Sequence, residues 1–281
     1  MRLASGYRGI LAGVVLSSCI VLCGVFAPLI APHDPTGQNL GERLSGPNRE
    51  YPLGTDRLGR CLASRLIYGA RPSIGIALGA TCATVLIGFA VGLPAALFPR
   101  LDMLLMRLTD CFFSLPAMVL ALVIISMTGP GPWGILLALS LPGWPKYARV
   151  VRGTSRSQLA LPQVEAVRCM GAGHWYVTRT CLLPWIWPQT ATIATLGIGG
   201  KVAAIAGLGF LGLGVQPPTP EWGAIMVGGL PVLGMAPHIS LFSGLAIAAT
   251  VLGFTLLGEG LHKIINPFLS EVADEELLGQ R

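Results

Sequence analysis

Charge is what this chain has least of. Only 11% of its 281 residues are Asp, Glu, Lys or Arg, against about 25% in an average soluble domain. So few charges cannot cover a water-soluble fold of this size, which excludes one. Aromatic residues are sparse at 7%, and no basic cluster is interleaved with them. Most Lys and Arg flank apolar blocks instead, so the net charge of +6 reads as membrane topology and nucleic acid is excluded as a partner. The seven cysteines include no CxxC pair, and the four histidines (His33, His174, His238, His262) lie far apart, so neither a disulfide framework nor a metal site is expected. Cys19 and Cys23 share a helix face and read as small packing residues. A GxxxxGK[ST] phosphate loop is missing, so the chain itself is not expected to bind ATP. Neither HExxH nor a carboxylate pair falls within an apolar block, and Ser126 and Ser140 have no candidate base. No catalytic residue is therefore expected.

Long apolar runs are what the chain does have, with 53% hydrophobic residues. Crossing about 30 Å of hydrocarbon takes roughly 20 apolar residues as helix. Blocks of this kind cover about residues 10–31, 73–97, 111–128, 190–213 and 239–261, and another starts near Trp133, interrupted by Pro142 and Pro145. The pattern predicts an all-α membrane protein with about six transmembrane helices. The first block exceeds the roughly 7–15 residues of a signal-peptide core, so it reads as an uncleaved span. Arg2 and Arg8 precede it and place the N-terminus in the cytoplasm, and six spans return the C-terminus there. Three parts follow: 1–72, a first span with an external segment; 73–265, the core; and 266–281, a solvated tail carrying Glu271, Asp274, Glu275 and Glu276.

Loop charges test this orientation. The loop 146–188 holds six basic residues (Lys146, Arg149, Arg152, Arg156, Arg168, Arg179) and one acid, Glu165, whereas 129–132 and 214–238 hold no Lys or Arg. That asymmetry puts the basic loop inside. The stretch 33–71 runs against the rule, with six arginines, only partly offset by Asp34, Glu42, Glu50 and Asp56. Lys201 is the one charge deep within a predicted span. At mid-helix it costs about 2.5–3.5 kcal/mol on insertion scales. Two readings are open for it: a lining of the translocation path that attracts a carboxylate, or a lysine tied up in a helix interface.

The basic loop carries its own helix signals. Pro162 suits a first helical position, Glu165 lies in the positive first turn, and Gly171 suits a left-handed C-terminal position. A second short helix is predicted over about 174–182, ending before Pro184. Glu165-Ala166, Gly171 six residues on, and Leu183-Pro184 resemble the EAA loop of binding-protein-dependent ABC importer permeases. Val167 and Cys181 are mild departures from that pattern. The segments Gly54-Thr55-Asp56-Arg57-Leu58-Gly59-Arg60 and Phe210-Leu211-Gly212-Leu213-Gly214-Val215-Gln216-Pro217-Pro218 through Glu221-Trp222-Gly223 are similar to stretches of the peptide/nickel branch, second permease subunit. Cys61 stands where an Asp usually follows. Each segment also has a local reading: Asp56 as the cap of a helix beginning near Leu58, preferred over a substrate contact; Gly207, Gly209, Gly212 and Gly214 as packing positions, preferred over a flexible gate; and Glu221-Trp222 as an interfacial anchor.

The resemblance implies an ABC importer type I permease architecture in the bacterial inner membrane. It implies a loop docked on an ATP-binding subunit through Glu165, Ala166, Gly171, Leu183 and Pro184. It also implies partners: a second homologous permease, two ATPase subunits that hold ATP and Mg, and an extracytoplasmic substrate-binding protein. No cofactor is expected on this chain. The function implied is one half of an alternating-access pathway for di- or oligopeptides; nickel or a metal–chelator complex is the alternative cargo. A passive channel has no use for a docking loop, and a membrane enzyme has no constellation to use.

Overall fold

A computed structural model of the chain describes residues 3–265, with side chains from residue 9 onward. The acidic tail expected at 266–281 and the side chains of Arg2 and Arg8 lie outside what is described. Twelve α-helices occur among the described residues, and the only β pairing there is an isolated bridge between Thr55 and Cys61.

Helices α1 (Leu3–Val25) and α2 (Ala27–Ile30) form the first apolar block. After the irregular 31–61 segment come α3 (Leu62–Leu97), α4 (Pro99–Phe113), α5 (Ala117–Thr128), α6 (Pro132–Ser140) and α7 (Trp144–Leu159). The short helices α8 (Pro162–Cys169) and α9 (His174–Val177) lead through a π-helical turn, Thr178–Leu182, into α10 (Leu183–Phe210). Helix α11 (Trp222–Gly229) and the long α12 (Pro237–Ile265) complete the bundle. By length and hydropathy, α3, the stretch His174–Phe210 and α12 are each long and apolar enough to cross a membrane, and α4 and α5 reach that mark only together, across a bend of 87°. The remaining apolar segments are shorter or interrupted: Gly9–Val25 in α1, and α6, which a turn at 141–143 separates from α7.

One buried cluster joins α3, α5, α6, α10, α11 and α12, with Ile125, Ile135, Ile205 and Leu208 at its centre. Between spans the lipid is as apolar as leucine, so close backbone approach has to supply the packing. Gly13 of α1 lies against the backbone of Leu256 and Leu257 on α12, and Gly88 and Gly92 of α3 lie against Tyr147 and Ala148 on α7. A methyl at any of these positions would collide with the facing helix.

Four expectations are corrected here. Helix α3 starts at Leu62, not 73, so the division at 72/73 falls within a helix that runs through Pro72. At 36 residues it is about 54 Å long, well over the hydrocarbon thickness. Its polar first turns persist because they have tertiary partners. Ser64 Oγ accepts the His33 N–H at 2.9 Å, and Arg65 donates to Asp56 at 2.7 Å. The third span is broken at 114–116 ahead of Pro116, because the residue before a proline is pushed out of the helical region. Residues 146–159, expected as loop, continue α7 and pack on α3. The second loop helix does not stop before Pro184; it passes through the π turn into α10 with Pro184 in the first helical turn, where a missing N–H is harmless.

The 31–61 segment is tightly organised. Asp56 does not cap a helix: its Oδ1 accepts the N–H groups of Leu58 and Arg60, closing a turn whose Gly59 has φ +70°. Its Oδ2 takes Arg60 and Arg65, both at 2.7 Å. Arg71 donates to the carbonyls of Gly24 and Val25 at 2.7 and 2.9 Å, placing a cation at the negative end of α1. Three of the six arginines that ran against the charge rule are thus engaged inside the fold. Glu221 and Trp222 are buried rather than interfacial. Glu221 caps α11 by accepting the N–H groups of Gly223 and Ala224, and Ser73 donates to it from α3. The Trp222 indole N–H donates to the Leu66 carbonyl at 2.8 Å. Gly209 and Gly214 do serve close packing, but Gly212 supplies a left-handed turn with φ +77°.

Candidate functional site

Helix α8 is built by the local rules its sequence carries. Leu161 is extended, Pro162 opens the helix, Glu165 sits in its first turn and Arg168 in its last. At the end, Gly171 takes φ +90°, which an L side chain rarely adopts. Its N–H donates to the Arg168 carbonyl at 2.9 Å and that of Ala172 to the Val167 carbonyl at 3.3 Å. This pair of bonds is the Schellman stop, and it satisfies carbonyls the helix would otherwise leave orphaned.

One side chain fastens α8 to the body. Val164 is 1% exposed and packs with Val151 of α7, Val177 of α9, Leu182 of the π-helical turn and Ile186 of α10. The rest of the helix is presented outward: Gln163, Glu165, Ala166, Cys169 and Met170 are all exposed. Trp175 beside them is 76% exposed. A short helix with one buried anchor and an open face is a surface prepared for another molecule. Leu183 and Pro184 do not join it; they begin α10, half-buried and exposed respectively. The loop residues therefore divide between α8 and α10.

Around α8 a polar frame ties the neighbouring helices. Asp102 on α4 takes both oxygens' worth of contacts from α7: Arg152 in a two-pronged pair, and Arg156 at 2.8 Å. Further along, Arg149 meets Asp110 at 2.6 Å and lies over the Phe113 ring at 4.1 Å. Thr154 donates to Gln189 at 2.7 Å, linking α7 to α10, and His174 stacks on Phe98. Sequence reasoning missed this frame. Its signal was the i, i+3, i+7 spacing of Arg149, Arg152 and Arg156 opposite the i, i+8 pair Asp102 and Asp110.

Lys201 lies elsewhere, on α10 about 25 Å along the helix axis from Pro184. It is half-buried between α3 and α7, its Nζ 3.4 Å from Thr84 Oγ1 and 5.8 Å from the Tyr147 ring centre. It forms no ion pair with any described residue.

A multi-span helical bundle that presents a capped, singly anchored helix fits the class of membrane transport components. Residues 69–271 match the family described as binding-protein-dependent transport system inner membrane component, and the chain belongs to it. It is a multi-pass inner-membrane transport component. The chain is 37% identical over 273 residues to the di/tripeptide transport system permease protein DppC of Pseudomonas aeruginosa (strain UCBPP-PA14), covering 95% of this chain and 90% of that one. It is 33% identical over 252 residues to the glutathione transport system permease protein GsiD of Pectobacterium atrosepticum, covering 89% and 84%. Among solved structures, an inward-facing conformation of the MetNI methionine ABC transporter aligns with a TM-score of 0.58 at 20% identity, over 71% of this chain and 95% of that one. That likeness shows a shared fold.

Proposed function

We propose that the chain forms one half of the translocation pathway of an ATP-driven importer of di- or oligopeptides. The relatives' named cargoes, di/tripeptides and glutathione, favour peptides over nickel. In this reading the N-terminus and the 146–188 region are cytoplasmic, the 33–61 segment is external, and the tail at 266–281 is cytoplasmic. A second permease subunit closes the pathway, two ATPase subunits hold ATP and Mg, and a binding protein delivers cargo outside. The chain catalyses nothing; the helical core from α3 onward moves, and Lys201 lines the path.

The observation that carries the reading is the outward face of α8, with Glu165 and Ala166 exposed while Val164 hangs the helix on α7 and α10. Glu165 and Ala166 enter an ATPase cleft, Gly171 makes the turn, and Leu183-Pro184 pass the movement into α10. A push on α8 is transmitted through a packed cluster rather than a flexible tether, so it shifts α7 and α10 together. Glu165→Lys tests the docking role. The variant is expected to insert normally and to lose coupled import, because a reversed charge meets the cleft. Wild-type peptide uptake at equal expression would refute it.

A further inference from the structure

The external segment and the α11–α12 end line a half-open cavity of about 390 Å3. Arg43, Arg57, Arg60 and Arg65 are among its lining residues, with Asp56 the only acid there. Asp56 cannot serve them all. Its two oxygens already accept four hydrogen bonds, from the Leu58 and Arg60 N–H groups and from the side chains of Arg60 and Arg65. A carboxylate has about four lone-pair sites, so its capacity is filled. Arg43 and Arg57 form no ion pair with any described residue, and the lining residues carry a net surplus of three positive charges. Arg65 sharpens the deficit. It is 6% exposed, yet its Nε has no hydrogen-bond partner. Such a donor belongs with an acceptor, and water supplies no charge to balance the surplus. The opposite wall is apolar, formed by α11 and the start of α12. Charge on one side, hydrocarbon on the other and a volume within the roughly 300–1,000 Å3 of small-ligand sites describe a pocket for a small amphipathic anion. Guanidinium forks match carboxylate geometry.

We propose that this cavity is a carboxylate-binding subsite that receives the C-terminal carboxylate of a peptide at the external face; it rests on the reading of the chain as a peptide importer subunit. The Asp56 pairs hold Arg60 and Arg65 in place, and the less buried Arg43 and Arg57 close on the incoming group.

The test uses the assembled importer in nanodiscs, without its binding protein, and dialanine as the probe in saturation-transfer NMR. Wild type is expected to give transfer to dialanine and at least about fivefold less to dialanine amide, the loss expected when charge-assisted hydrogen bonds disappear. Arg43→Gln with Arg57→Gln is expected to lose at least about fivefold as well. Both positions are solvent-accessible, and co-elution of the variant complex with wild type checks assembly. Arg43→Lys with Arg57→Lys is expected to keep most of the signal. Equal signals from wild type and the Gln variant, equal signals from peptide and amide, or binding of inorganic phosphate without dialanine would each overturn the proposal. Cellular uptake of dialanine is scored separately. Binding without uptake refutes the importer reading and leaves the subsite standing; uptake without binding does the reverse.

Discussion

Truncating Val164 to alanine isolates the single anchor of the docking helix. Val164 is 1% exposed and sits among Val151, Val177, Leu182 and Ile186. The substitution removes two methyl groups, about 1.6 kcal/mol of burial at about 0.8 per carbon. A cavity term of a few tenths or more raises this to about 2 kcal/mol, since helices on three sides limit collapse. No other residue of α8 is fully buried, so the loss falls on the local equilibrium between docked and released α8 rather than on the bundle. About 2 kcal/mol corresponds to roughly a 30-fold shift. Hydrogen exchange of the purified complex in nanodiscs reads this directly. Amides of α8 are expected to exchange about 30-fold faster while those of α10 and α12 keep wild-type protection. Peptide uptake should fall at unchanged expression. Wild-type exchange in α8, or an equal loss of protection through all helices, would refute the view that one side chain fastens this element.

Three further outcomes are expected. Asp102→Asn should lower thermal stability at neutral pH by loosening α4 from α7. Asp102 pairs with both Arg152 and Arg156, so the variant complex should melt below wild type; an unchanged melting temperature would refute the assignment. With Cys169 as the single cysteine, an impermeant thiol reagent should label it in permeabilised but not intact spheroplasts, and labelling of intact ones would contradict the proposed topology. Cys61 is no topology probe, being 2% exposed. Lys201→Met should alter the preference among peptides of different charge; an unchanged competition profile would favour a purely structural lysine.

Much of the docking helix was legible because its determinants are local. Pro162, Glu165 and Gly171 each act within one or two turns, through a fixed φ, a helix-end charge and a left-handed turn. The apolar blocks were legible for the same reason, since a bilayer reads only length and hydropathy. Where partners lie far off in sequence, the reading failed. The polar start of α3 looked like loop until Asp56 and His33 supplied partners, and Trp222 looked interfacial until the Leu66 carbonyl accepted its N–H. The continuation of α10 through Pro184 depended on a π turn that local propensity does not signal.

The sequence by itself determined that this protein lives in a membrane and carries a short capped helix in its basic loop, because hydropathy and caps act at short range. Only the tertiary structure decided what that helix hangs on, which arginines are already paired, and where four of them gather around a single acid. Those properties belong to side chains brought together from distant segments, and no local pattern encodes the meeting.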